Sequence, residues 1–207
     1  MAIVIPAILE QTPALAAERA QQLVGVAQLA QFDVMDGEFV PNITVRDPQV
    51  IASLPLQFEL HLMIEKPELS IQRWALPNVQ RLIVHYEAAD NISHLIEVMQ
   101  RTGKQVAIAI NPETSTHVLK PYIDKLDMVL VMGVEPGFSG QTFQRDVLEK
   151  IREIKLMHPG ILVEVDGGVN AQTAPDIVAA GCDVLAASSF IWKSPDPAAA
   201  IAELQAL

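Results

Sequence analysis

Short apolar runs recur at residues 3–9, 29–34, 58–64, 81–85, 105–110, 128–132, 161–165 and 184–187. They are rich in Val, Ile, Leu and Ala and too short for buried helices, so each predicts a strand covered on both faces. Segments near 13–26, 48–53, 68–76, 92–102, 115–122, 145–158, 173–180 and 196–206 predict helices between and after them. Strands alternating with helices signal βαβ units and a parallel sheet. Eight units of roughly 26 residues predict a (β/α)8 TIM barrel at the compact end of that fold, one domain over 1–207. The alternative, an open doubly wound sheet, usually carries Gly-x-Gly-x-x-Gly after its first strand. That position here reads Ala7-Ile8-Leu9-Glu10-Gln11. No linker, low-complexity segment or fixed-period repeat interrupts the alternation.

A barrel gathers its chemistry at the C-terminal ends of its strands. Gln31 and Asp33 lie two apart on the second strand and so face the same side, with Met35 continuing that side. His61 with Met63, and His85 with Glu87, show the same spacing, and Asp166 closes the seventh strand. Two carboxylates and two imidazoles at converging strand ends suit a metal and acid/base cluster. Each residue also has a plainer reading. A histidine in an apolar strand is often a hydrogen-bonded core residue, methionine fills core gaps, and Asp36-Gly37 is a turn signal. His94, His117 and His158 read as solvated, and Cys182 as inert packing. Spacing alone leaves the reaction unnamed.

Two further segments narrow the ligand. Val-Glu-Pro-Gly-Phe-Ser-Gly-Gln (134–141) and Val-Glu-Val-Asp-Gly-Gly-Val (163–169) each end an apolar run in a glycine-containing turn. Glycine lets backbone amides approach a ligand, and successive amides form an anion-binding concavity. Together with an Asp at the second strand end, this predicts a phosphorylated small-molecule site.

The formal net charge of −11, with no basic stripe, argues against nucleic acid or an anionic membrane as partner. It leaves a phosphate held by local amides open. One cysteine, Cys182, excludes an internal disulfide framework and fits a cytoplasmic protein. The Ile3-Val4-Ile5 run lacks a basic flank and meets Pro6, so it is read as neither signal peptide nor membrane span.

Six motifs occur in order: Asp-Val-Met-Asp-Gly-x-Phe-Val-Pro-Asn (33–42), His-Leu-Met-Ile (61–64), His-x-Glu-Ala (85–88), Asn-Pro-x-Thr (111–114), Val-Glu-Pro-Gly-Phe-x-Gly-Gln-x-Phe (134–143) and Glu-Val-Asp-Gly-Gly-Val (164–169). From Pro6 to about Pro197 the chain closely resembles ribulose-phosphate 3-epimerases. That resemblance implies a (β/α)8 barrel of pentose-phosphate metabolism that interconverts D-ribulose 5-phosphate and D-xylulose 5-phosphate. It implies one divalent metal ion (Mn, Mg, Zn or Fe), a phosphorylated ketose as substrate, and a homo-oligomer as a possible assembly. Asp33 matches the proton-accepting carboxylate and Asp166 the donor on the opposite face. Both match metal ligands, as does His61, which also falls among the substrate-binding positions. Gly137, Phe138, Ser139, Gly140, Gly167, Gly168, Ser188 and Ser189 match the substrate and phosphate positions. Met35, Met63 and Met132 match an apolar bed beside the reacting carbons.

Three positions depart from the pattern. Gln31 stands where the family has a metal-ligating His, and a carboxamide oxygen suits harder cations than zinc. Ala7 replaces a Ser, removing a hydroxyl. Ser188-Ser189 replaces Gly-Ser in the last phosphate turn. The expected function is therefore a metal-dependent ribulose-phosphate 3-epimerase. The alternatives are an epimerase of another ketose phosphate and a non-catalytic sugar-phosphate-binding relative with a degraded metal site. A related metal-dependent decarboxylase would place Asp-x-Lys-x-x-Asp on strand 3, where this chain has Glu59-Leu60-His61-Leu62-Met63-Ile64.

Overall fold

A computed structural model describes residues 2–207. Eight parallel strands close a barrel in sequence order: β1 (Ile3–Ile8), β2 (Leu29–Met35), β3 (Gln57–Met63), β4 (Val79–His85), β5 (Gln105–Ile110), β6 (Met128–Met132), β7 (Leu162–Asp166) and β8 (Val184–Ala187). β8 returns to β1 in register from Ile3↔Val184 to Pro6↔Ala187, which closes the sheet on itself and removes its edges. The helices are α1 (Pro13–Leu23), α2 (Pro48–Ala52), α3 (Ile92–Gln100), α4 (Val147–Met157), α5 (Ala174–Ala179), α6 (Ser189–Trp192) and α7 (Pro197–Gln205). Three of them share one start signal. Thr12, Asp47 and Asp196 cap α1, α2 and α7 with a side-chain oxygen, and a proline follows each. The cap accepts a free N–H, while proline supplies helical φ where no donor is needed.

Two expected helices take another form. The segment 68–76 folds as two 3-10 turns, Pro67–Leu69 and Ile71–Trp74, and 115–122 contains the 3-10 turn Thr116–Leu119. Both buried pairs, Ile71/Trp74 and Thr116/Leu119, lie three residues apart. That spacing eclipses on a three-residue turn and drifts on an α-helix. Pro121 also blocks continuation past the second turn, since it lacks an N–H and its ring clashes with a carbonyl one turn back. Helix α6 adds to the expected set; its four residues are too few to show a period in sequence.

Side chains alternate across each strand. One parity (Phe32, Val34, Leu60, Leu62, Val84, Ile108, Val131, Val165, Leu185) packs outward with the helices in the large core. The other parity fills the barrel. On one side it is apolar, with Ile83, Ala107, Ala109, Met128, Leu130 and Met132 in contact. On the other side Arg81 Nη1 donates to Glu59 Oε2 at 2.6 Å and lies 3.8 Å from Glu164 Oε2, with both carboxyls fully buried. Glu164 also lies within hydrogen-bonding reach of Glu59. Burial and the adjacent Glu59 push the Glu164 pKa well above the ordinary 4.5. Burial raises the Glu59 pKa too, with the Arg81 guanidinium pulling it back down. This ionic layer forms the floor beneath the strand ends.

Candidate active site

Parallel register brings the strand-end residues together. Asp33 lies opposite His61, Met35 opposite Met63, and Met132 opposite Asp166. β2 runs one residue beyond its expected end, which places Met35 on the strand, and β7 likewise reaches Asp166. Asp33, His61 and Asp166 therefore converge from three strands, and one ligand atom of each lies within 4.8 Å of the others. The His61 Nδ1 is 3.1 Å from Asp166 Oδ2 and 3.3 Å from Asp33 Oδ1. The Gln31 amide donates from Nε2 to Asp33 Oδ1 at 2.8 Å and to Asp166 Oδ2 at 2.7 Å. Its Oε1 is buried without a donor.

Burial sets the electrostatics. Taking Asp33 out of water raises its pKa to about 6, with Asp166 adding repulsion and His61 pulling the other way. Burial alone would lower the His61 pKa, but its hydrogen bonds to Asp166 and Asp33 outweigh this and raise it to about 9. The donor set fits a divalent cation: two carboxylates and an imidazole nitrogen already face one point. At that point the Gln31 N–H group supplies positive charge to both carboxylates, and the orphaned Oε1 is the atom a rotated amide would offer to a cation.

Above the carboxylates opens a cleft. Met35, Met63 and Met132 line it, with Leu9 and Val134 completing an apolar wall. Gly137, Phe138, Ser139, Gly140, Gly167, Gly168, Ser188 and Ser189 line it as well. The 134–141 loop is tied down where Asn42 Nδ2 donates to the Gly137 carbonyl at 2.8 Å. Thr44 Oγ1 bonds the Asp33 carbonyl at 2.7 Å and accepts from Met35 N at 2.9 Å, bracing the end of β2.

Relatives by sequence agree with this geometry. The sequence model of the ribulose-phosphate 3 epimerase family matches residues 3–192. The chain belongs to the ribulose-phosphate 3-epimerase family. It is accordingly an isomerase of the epimerase type. A ribulose-phosphate 3-epimerase of Bacillus subtilis (strain 168) is 40% identical, with 87% of each chain covered. One from Mycobacterium bovis is 38% identical over 98% of this chain and 91% of the relative. Among solved structures, KGPDC from Streptococcus mutans superposes with a TM-score of 0.78 at 11% identity, covering 99% of this chain and 96% of that one. The 3-hexulose-6-phosphate synthase from Salmonella typhimurium gives 0.74 at 17%, covering 99% and 97%. At such identities these two speak for the fold alone.

Within this epimerase frame the expected site residues sort by depth. The two aspartates, three methionines and eight loop residues line the cleft. His61, expected to touch substrate as well as metal, is fully buried beneath the carboxylates and does not line the cleft. Gln31 is equally buried, and Ala7 is covered. Leu9, Val134, Glu135, Val169 and Ala186 also line the cleft, beyond the expected set. Leu9 and Ala186 share the inward parity of their strands, a signal that could have found them. Among the described residues no helix is long and apolar enough to cross a membrane.

Proposed function

We propose that this chain interconverts D-ribulose 5-phosphate and D-xylulose 5-phosphate by two-base proton transfer at C3. The observation that carries the reading is the pair Asp33 and Asp166, brought to one cleft from β2 and β7 with an apolar methionine bed beside them. Inversion next to a ketone removes a proton from one face and returns one to the other, which requires two carboxyl groups on opposite sides of a planar enediolate. Asp33 takes the C3 proton, and Asp166 delivers one to the opposite face. The reverse reaction exchanges these roles.

Asp33, His61 and Asp166 would hold a divalent cation, with the Gln31 carboxamide as a fourth donor. Such an ion supplies charge stabilisation for the developing enediolate oxygens. The phosphate is held between 137–140 and the turns at Gly167-Gly168 and Ser188-Ser189. Met35, Met63 and Met132 keep water from the reacting carbons.

Purified protein supplied with Mn²⁺ should turn over D-ribulose 5-phosphate and incorporate solvent deuterium at C3. Asp33→Asn and Asp166→Asn should each lower kcat by at least about a hundredfold, the scale of a lost general acid or base. Near-parent turnover in either variant would remove the two-base assignment. Equal KM values for D-ribulose 5-phosphate and unphosphorylated D-ribulose would remove the phosphate assignment.

A further inference from the structure

The pair His85 and Glu87 has no part in the chemistry above, yet it is wired to the site. His85 ends β4 fully buried, with its ring in a plane 18° from that of His61 and a centroid distance of 5.0 Å. The two Nε2 atoms face each other at 2.8 Å. Two imidazole nitrogens at that distance must share one proton, because two lone pairs or two N–H groups repel. On its far side, His85 Nδ1 lies 3.5 Å from Glu87 Oε2. The Asn111 Oδ1 is buried without a hydrogen-bond partner. His85 Nδ1 is likewise buried with no closer hydrogen-bond partner, and the carboxylate that faces it is Glu87, which assigns the His85 proton to Nδ1 and the lone pair to Nε2. The shared proton must then sit on His61 Nε2. That leaves His61 Nδ1, the atom facing Asp33 and Asp166, as the coordinating nitrogen once its own proton departs.

Glu87 is itself held. Its Oε1 accepts from Asn111 N at 2.9 Å and from the Thr114 hydroxyl. Phe39 packs against the His85 ring at 4.9 Å. The chain of contacts thus runs from the loop after β5, through two rings, to the carboxylates.

We propose that His85, oriented by Glu87, is a positioning residue that fixes the tautomer of His61 and so presents its Nδ1 lone pair to a divalent cation. The proposal rests on the metal-assisted reading above. Outer partners of metal-bound histidines act in this way, and losing one typically costs about 10–100-fold in metal affinity.

The test reads ion affinity without substrate. Mn²⁺ titration by calorimetry should show His85→Leu weakened about 10–100-fold, while His85→Gln, whose carbonyl can accept from His61 Nε2–H, recovers most of the loss. Glu87→Gln, at the strand end and partly exposed, should weaken binding less and serves if His85→Leu fails to fold. Long-range ¹⁵N–¹H spectra of the metal-free protein and its Zn²⁺ form should show His85 with its proton on Nδ1. The Zn²⁺ form should also show His61 with its proton on Nε2. Parent-like Mn²⁺ affinity in a folded His85→Leu or Glu87→Gln variant overturns the proposal, as does a His85 protonated on Nε2. A parent that binds Mn²⁺ but leaves D-ribulose 5-phosphate unchanged counts against the epimerase reading alone.

Discussion

Gln31 is one of the three positions at which the sequence departs from the pattern it resembles, and the structure shows what its side chain does. Its amide bridges the two aspartates at 2.8 and 2.7 Å. A cation must displace that N–H, so the bridge competes with metal. Gln31→His should raise Zn²⁺ affinity at least about tenfold, since it restores a nitrogen donor; competition with a chelator measures it. Unchanged affinity would mean residue 31 stays outside the coordination sphere. His61 adds a pH dependence. Its pKa is raised to about 9, so metal uptake below that value displaces a proton. Affinity should climb about tenfold per pH unit between about 6 and about 9. It should climb more steeply below about 6, where Asp33 is protonated too. A flat profile from pH 6.5 to 8.5 would show that His61 is already neutral. At this scale the site was largely legible: spacing put Asp33, His61 and Asp166 on inward faces. The depth of His61 was not, because burial depends on what other strands place above a residue.

At the scale of elements, the glycine turns after β6 and β7 separate two roles that look alike in sequence. Gly140, Gly167 and Gly168 all read as openings for phosphate. A Cβ at Gly168 would lie 2.7 Å from Phe143 Cα, and one at Gly167 would lie 2.5 Å from Val134 Cγ2. Gly140 has room: its nearest neighbour would be Lys193 Nζ at 3.3 Å, the end of a flexible side chain. Gly168→Val should therefore disturb the packing of the two loops as well as the ligand. Gly140→Ala meets chiefly the strain of its positive φ, about 1 kcal/mol. Urea unfolding and KM together check this. Gly140→Ala should raise KM with a small loss of stability, and Gly168→Val should lower both stability and affinity. Equal stability losses would contradict the assignment. The 3-10 turns carry a similar lesson. Apolar residues three apart fit either helix type, and packing of Trp74 and Leu119 against the barrel chose the tighter one.

On the scale of the whole molecule, barrel closure encloses charge that no local pattern announces. Glu59, Arg81 and Glu164 come from three strands, and only the closed ring brings β7 round to face β3 and β4. Arg81→Met should cost about 3–5 kcal/mol, because it leaves a buried carboxylate without its cation. Glu164 behaves oppositely. Its folded pKa lies above the ordinary 4.5, so its contribution to stability is fully present below that value and is lost as pH rises toward the folded pKa. Glu164→Gln, which stays neutral, should gain stability relative to the parent as pH rises above the ordinary 4.5. Denaturation at several pH values tests this, and parallel profiles for parent and variant would show that Glu164 ionises normally. The barrel, its eight strand positions and the inward parity of Asp33, His61 and Asp166 are all written locally along the chain. Strand length, inward parity and glycine turns are readable within a few residues of sequence. Contacts between distant strands came only with the closed fold: the Gln31 bridge and the buried ionic floor. Those depend on register around a closed ring, where a one-residue slip would turn every one of these side chains to the other face.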